Sequence, residues 1–221
     1  MDGLLICPTA EVTPLVRDLA GAGGPLVFLD RTLPGLEVPA VRVDGTEAIR
    51  DLVAHLVGLG HRRIAFISGP EQLSTGRERK GAFVAAMAEH GLSVPAGYLE
   101  AGDFQAASGR TITARFLDLP EPPEVIFAGD NLMALGALDE IRARGLRVPG
   151  DVALASFDDV PWFVHLDPPI TAISQPAQEL GRRAVRALLG RIGQGPVESA
   201  ALPARLVVRR SCGEPESTEG A

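Results

Sequence analysis

Cysteine is almost missing from this chain: the two in 221 residues, Cys7 and Cys212, lie near opposite ends. They form neither a CxxC pair nor a metal-ligand cluster, so a disulfide framework is excluded and both read as reduced, structurally incidental thiols. Long hydrophobic runs are absent too. No stretch reaches the roughly 18 apolar residues a bilayer span requires. The opening MDGLLICPTAEV has an acidic residue where a signal peptide is basic, and its apolar segment is short, so the protein is expected to stay in the cytoplasm. Positive charge is in deficit. A net charge of −7 and a pI of 5.1 make this chain a poor binder of phosphate backbones on bulk electrostatics.

Nucleotide signatures are missing as well. GLGHRR lacks the third glycine of a dinucleotide fingerprint and follows a helix rather than a strand, and no GxxxxGK[ST] loop occurs. GxSxG is absent. The histidines His55, His61, His90 and His165 have neither metal-site spacing nor an evident nucleophile partner. Enzymatic chemistry is therefore not expected, nor is any cofactor or metal.

What is present is ordinary globular composition, 46% hydrophobic and 22% charged, in a length that suits one large α/β unit or two small lobes. Short apolar runs read as parallel strands covered on both faces: Leu4 to Ile6, Leu26 to Leu29, Val41 to Val43, Ile64 to Ile67, Val125 to Ala128 and Val152 to Phe157. Helical periodicity fills most gaps. Ile49, Leu52, Val53 and Leu56 form one apolar face ended by Gly58 and Gly60; Phe83, Val84, Met87 and Ala88 form another before Gly91. Further helices are expected over Leu132 to Arg144 and from Pro176 to about Ile192, with a weaker one over Ala106 to Leu117. Repeated βαβ implies a mostly parallel sheet with right-handed crossovers. A lobe boundary is expected near Gly60 to Arg63 and another crossing around Ile173 to Pro176. A last strand is expected over Arg205 to Arg209, and the polar tail after Cys212 reads as disordered.

The most informative stretch is VALASFDDVPWFVHLDPPITAISQ, Val152 to Gln175: a buried strand that ends abruptly in Asp158 and Asp159. The pattern recurs. Asp30-Arg31 follows LVFL, Asp44 follows VRV, and Asp130-Asn131 follows VIFAG. Carboxyl ends of strands are where open α/β sheets bind ligands. Carboxylates and amides suit neutral polyols, because a carboxylate can accept from two adjacent hydroxyls, and an arginine adds a rigid fork of donors. Each residue also has a plainer reading. Asp44 with Glu47 makes a capping box for the following helix, and Asn131 is the preferred N-cap of LMALGALDEI, leaving Asp130 to point into a cleft. Asp159 reads as a turn cap or a solvated carboxylate, which makes Asp158 the better ligand candidate. Arg79 reads equally as a helix surface charge or a ligand contact. Phe104 reads as core or as a platform for an apolar sugar or base face, and Gln175 as a ligand contact or a hinge residue.

Taken together, DGLLICP, PLVFLDR, HLVGLGHRRIAFISG, RERKGAF, VIFAGDNLMALGAL, VPGDVALASFDD, DPPITAISQP and LVVRRSC resemble, in order, the effector-binding core of the LacI/GalR family of bacterial transcriptional repressors. That core is itself similar to periplasmic sugar-binding proteins. The resemblance covers nearly all of residues 2 to 213. It implies a periplasmic-binding-protein-like type I α/β fold, two Rossmann-like lobes with parallel sheets, the first lobe incomplete. The expected division is an N-terminal lobe over 1–62, a C-terminal lobe over 63–173, a return to the first lobe over 174–195, a segment 196–212 completing the second, and a tail over 213–221. The resemblance further implies a ligand contacted by Asp44, Arg79, Phe104, Asp130, Asp158 and Gln175, with Arg31 and Asn131 as secondary candidates.

By the same resemblance the ligand is a small-molecule effector, a sugar or nucleoside-like compound, the chain forms a homodimer, and operator DNA is reached only through an N-terminal helix-turn-helix that this sequence does not contain. That element, its hinge helix and the first strand and helix of the first lobe would precede Asp2, so the chain is expected to be a fragment or to start upstream. Two departures stand out. Family members commonly read Asn-Asp where this chain has Asp130-Asn131, and Gly81-Ala82 inverts the common order before Phe83. A transport solute-binding protein is the alternative reading.

Overall fold

The computed structural model describes residues 2–9 and 13–213. The tail expected to be disordered lies, from residue 214 onward, outside the described residues. The chain divides into two compact units. The first comprises residues up to Asp44, Gln72–Thr75 and Gln175–Ala204, and the second Gly45–Glu71, Gly76–Ser174 and the chain from Arg205 onward.

In the first unit, β1 (Leu4–Ile6), β2 (Leu26–Leu29), β3 (Ala40–Asp44) and β9 (Ala200–Pro203) form a four-stranded sheet in the order β1-β2-β3-β9. All three pairings are parallel. Helix α6 (Ala177–Ile192) lies on this sheet, placing Leu180 and Ala184 against Val27, Val41, Val43 and Leu202. Helix α1 (Pro14–Gly21), which periodicity did not reveal, starts from Thr13, whose hydroxyl accepts from the Val16 amide at 3.4 Å, with Pro14 at the first helical position.

The second unit holds a six-stranded sheet built from β4 (Ile64–Ser68), β5 (Leu99–Ala101), β6 (Val125–Ala128), β7 (Ala153–Phe157), β8 (Thr171–Ser174) and β10 (Arg205–Val207). Its order is β10-β8-β7-β6-β4-β5, parallel throughout except for β10 against β8. Strands β4, β6 and β7 are buried along their whole length, as their unbroken apolar runs require of strands covered on both faces. Phe66 stacks on Phe127 at 4.7 Å between centroids and Phe83 tilts onto Phe66 at 5.0 Å, tying α3 (Ser74–Glu89) to the sheet. Helices α4 (Ala106–Leu117) and α5 (Asn131–Ala143) cross at close range. A Cβ at Gly136 would fall 1.9 Å from the Ala106 carbonyl oxygen, and one at Gly109 would fall 2.3 Å from that of Met133. Only glycine permits this approach, which fixes the N-terminus of α5 at the carboxyl end of β6.

Two expected boundaries are corrected. The sequence places helix α2 (Thr46–Gly58) in the first lobe with a boundary at 62, yet the divide falls between Asp44 and Gly45, because α2 packs on β8 and β10. The expected division puts segment 196–212 wholly in the second lobe. Instead β9 pairs in parallel with β3, Val41 opposite Ala200 and Asp44 opposite Pro203, and only from Arg205 does the chain join the second unit. The last strand is also shorter than expected, ending at Val207 before a 3₁₀ turn over Arg210–Cys212.

Candidate functional site

In the second unit the site is built at the carboxyl ends of β4, β6 and β7. Arg79, from α3, is only 9% exposed and its guanidinium is held on several sides. Nη1 donates to the Gly129 carbonyl at 2.6 Å, the guanidinium carbon lies 3.6 Å from the centroid of the Phe157 ring, and Nη1 is 4.0 Å from Asp158 Oδ2. A buried arginine with a carbonyl, an aromatic face and a carboxylate around it is a preorganised donor fork. The alternative of a solvated helix charge does not describe it.

Asp158 leaves β7 at φ 71°, in the left-handed region where an L-residue is held at a cost of about 1 kcal/mol or more. That turn separates the two carboxylates of the pair. Asp159 neither caps the following turn nor faces solvent: it forms a two-pronged ion pair with Arg209, Nη1 to Oδ1 and Nη2 to Oδ2 both 2.8 Å, and Arg209 also donates to the Ile170 carbonyl at 2.6 Å. Asp159 is thereby structural.

Asp130 corrects a second expectation. It, and not Asn131, is the N-cap of α5, its Oδ1 accepting from the Met133 amide at 2.8 Å. It is 7% exposed, and burial pushes its carboxyl above the ordinary carboxylate range, with the Asp158 charge adding to the rise and the Met133 amide and Arg79 opposing it. Asn131 is the first helical residue, half-buried. Phe104 fits the first of its two readings, a residue packed on the core. Half-buried at φ 63°, its ring packs against the second unit's core and covers Gly69, where a Cβ would come within 2.1 Å of the ring.

In the first unit, Asp30-Arg31 and Asp44 end β2 and β3 on the carboxyl side of that sheet. Asp30 turns at φ 65°, and Arg31 Nε lies 3.7 Å from its Oδ2. The cap position of α2 is Gly45, which has no side chain to offer, while Asp44 is the exposed last residue of β3. Gln175 follows β8, its carbonyl accepting from the Ala177 amide at 2.9 Å. Thus Arg79, Asp130 and Asp158 converge within one unit with Phe104 over the neighbouring strand end, whereas Arg31, Asp44 and Gln175 belong to the other. Two participants were not anticipated: Phe157, hidden as the last letter of an apolar run, and the Gly129 carbonyl, which no side-chain pattern announces.

Among the described residues, no three His, Cys, Asp or Glu side chains are grouped as a metal site requires, and no helix is long and apolar enough to cross a membrane. Cys212 is fully buried, its thiol pushed up to about 11 by burial, and neither it nor exposed Cys7 is in a disulfide.

Comparison with known proteins gives a consistent result. Residues 53–212 match the model of a periplasmic binding protein-like domain. The transcriptional repressor CytR of Escherichia coli (strain K12) is 36% identical over 189 residues, which cover 85% of this chain and 55% of the repressor. A regulatory protein of the LacI family from Chloroflexus aggregans superposes with a TM-score of 0.86 at 33% identity, over 95% of this chain and 76% of that one. A complex of the transcriptional regulator CelR with cellobiose superposes with a TM-score of 0.87 at 35% identity, over 95% of this chain and 65% of that one. The chain therefore spans a little over half the length of the curated repressor it matches.

Proposed function

Because the chain belongs to the LacI/GalR family of transcriptional regulators, we infer that its two units form an effector-binding core that senses a small polyhydroxylated molecule and reports it to a DNA-reading domain. The observation that carries the reading is the Arg79 cluster. A buried guanidinium with Asp158 beside it and the helix-capping Asp130 nearby offers donors and acceptors together, which is what adjacent hydroxyls need. Two carboxylates to one guanidinium weigh against a phosphorylated ligand and for a neutral or donor-rich one.

In this reading Arg79, Phe104, Asp130, Asp158, Asp44 and Gln175 are the residues that contact the effector, with Arg31 and Asn131 as outer contacts. The cellobiose bound by a regulator 35% identical to this chain supports a sugar as the chemical class. The regulator acts as a homodimer in the cytoplasm, and binding biases a two-state arrangement that its DNA-reading domains follow. The named relatives are regulators, so a transport role is not the reading adopted.

A thermal-shift panel of cellobiose, ribose, a sugar phosphate and a nucleoside tests the proposal. A ligand at a hundred times its Kd stabilises by about 2.7 kcal/mol, a rise of about 5–10 °C in a protein this size. Saturable stabilisation by a neutral sugar, lost in Asp158→Ala, is expected. Stabilisation by the sugar phosphate alone would overturn the charge argument.

A further inference from the structure

Gly45 carries a demand that its own backbone does not make. Its φ of −98° and ψ of 1° are open to any L-residue, and as the first residue of the second unit it precedes α2 without a side-chain cap. Yet a Cβ there would fall 2.7 Å from Phe157 Cε2 and 2.8 Å from Cζ, closer than real Cβ contacts allow. The glycine is required by the aromatic ring.

That ring has a second neighbour. The Arg79 guanidinium lies 3.6 Å from its centroid, while the Gly129 carbonyl holds Nη1 at 2.6 Å. Phe157 is 1% exposed, ends β7, and is followed at once by Asp158 in its left-handed turn. The position of one ring therefore sets the height of the Arg79 fork, next to the strand exit that carries Asp158.

We propose that Gly45 and Phe157 are positioning residues for the effector site: the missing side chain at Gly45 lets the Phe157 ring sit where it seats Arg79. The proposal rests on the reading of Arg79 as a ligand contact. Within the second unit, Gly45 thus bears on the ligand-binding arginine through a single ring.

The test uses the Arg79 side-chain Nε–H resonance, assigned by its loss in Arg79→Lys, which ring current from Phe157 moves upfield in the wild type. Gly45→Ala is expected to move this resonance back toward the value of a solvated arginine and to weaken cellobiose binding about tenfold or more, as small misplacements of binding groups do. Gly58→Ala, at the far end of the helix that Gly45 precedes and with nothing within 4 Å of the added Cβ, is the control and leaves both readouts unchanged. Phe157→Leu removes the atoms that Gly45→Ala would strike, so in that background adding Gly45→Ala has no further effect. If Gly45→Ala fails to fold, the Gly45→Ala, Phe157→Leu double variant decides: with the struck ring atoms gone it must fold, and failure of the double variant to fold while Phe157→Leu folds would overturn the proposal. An unchanged Arg79 resonance in Gly45→Ala or Phe157→Leu, or additive effects in the double variant, would overturn the proposal. If the wild type does not bind cellobiose, the resonance still tests the positioning, and only the sugar reading falls.

Discussion

Arg209→Met is the sharpest test of how the Asp158-Asp159 pair is divided between binding and structure. Methionine keeps the apolar stem of the arginine but removes two charge-assisted hydrogen bonds to Asp159 and one to the Ile170 carbonyl, in a place where the two side chains are only 14% and 18% exposed. Hydrogen bonds to charged groups are worth about 1.5–3 kcal/mol each, and stripping one partner from a buried pair costs about 3–5 kcal/mol. The residual exposure places this pair at the low end, so a loss of about 3 kcal/mol is expected, read as a lower urea midpoint at unchanged slope. Replacing both partners, Arg209→Met with Asp159→Leu, should recover more than half of that loss because no charge is left stranded. A loss below about 1 kcal/mol for Arg209→Met would mean that the pair behaves as an ordinary surface ion pair, and the structural role given to Asp159 would be wrong.

Two further substitutions probe the neighbouring elements. Asp130→Ala removes the cap of α5 and should cost about 1 kcal/mol in a urea melt, while Asp130→Asn, an equally good cap, should cost nothing at neutral pH. Because burial raises the Asp130 carboxyl above its ordinary 3.8, the folded state holds its proton longer than the unfolded one. Wild-type stability should therefore fall as pH rises from 3.8 through the raised value, a slope that melts of Asp130→Asn should lack. Gly136→Ala drives a methyl to 1.9 Å from the Ala106 carbonyl and should force α4 and α5 apart, costing about 1–3 kcal/mol or more, with loss of native near-ultraviolet dichroism as the check.

The strands that form the centre of each sheet were legible because full burial writes itself as an unbroken apolar run: LVFL, IAFIS, VIFA and ALASF each sit within a residue or so of the expected limits. Partition between the units was less so. The apolar face of α2 states that it covers something, but not which sheet, and GHRR marks a change of element rather than of unit. Segment β9, AALP, has no β-branched residue, so nothing in its sequence separates it from the segment that follows it into the second unit.

The site was legible as a set of strand exits and illegible in its internal wiring. Asp and Asn cap helices equally well, so propensity could not decide between Asp130 and Asn131. Nothing local separates Asp158 from Asp159: a residue 50 positions away, Arg209, takes one of them. Arg79 offers two readings until its partners Gly129, just past β6, and Phe157, the last residue of β7, are placed around it.

The most direct test of the central claim is a map of backbone amide and arginine side-chain shifts as cellobiose is titrated into the protein. The account predicts saturable shifts at Arg79, Gly129, Asp130 and Asp158 and none at Arg147 and Asp151, which pair with each other just ahead of β7, at the opposite end of that strand. Saturable shifts confined to Arg147, Asp151 or other residues remote from the strand exits would contradict it.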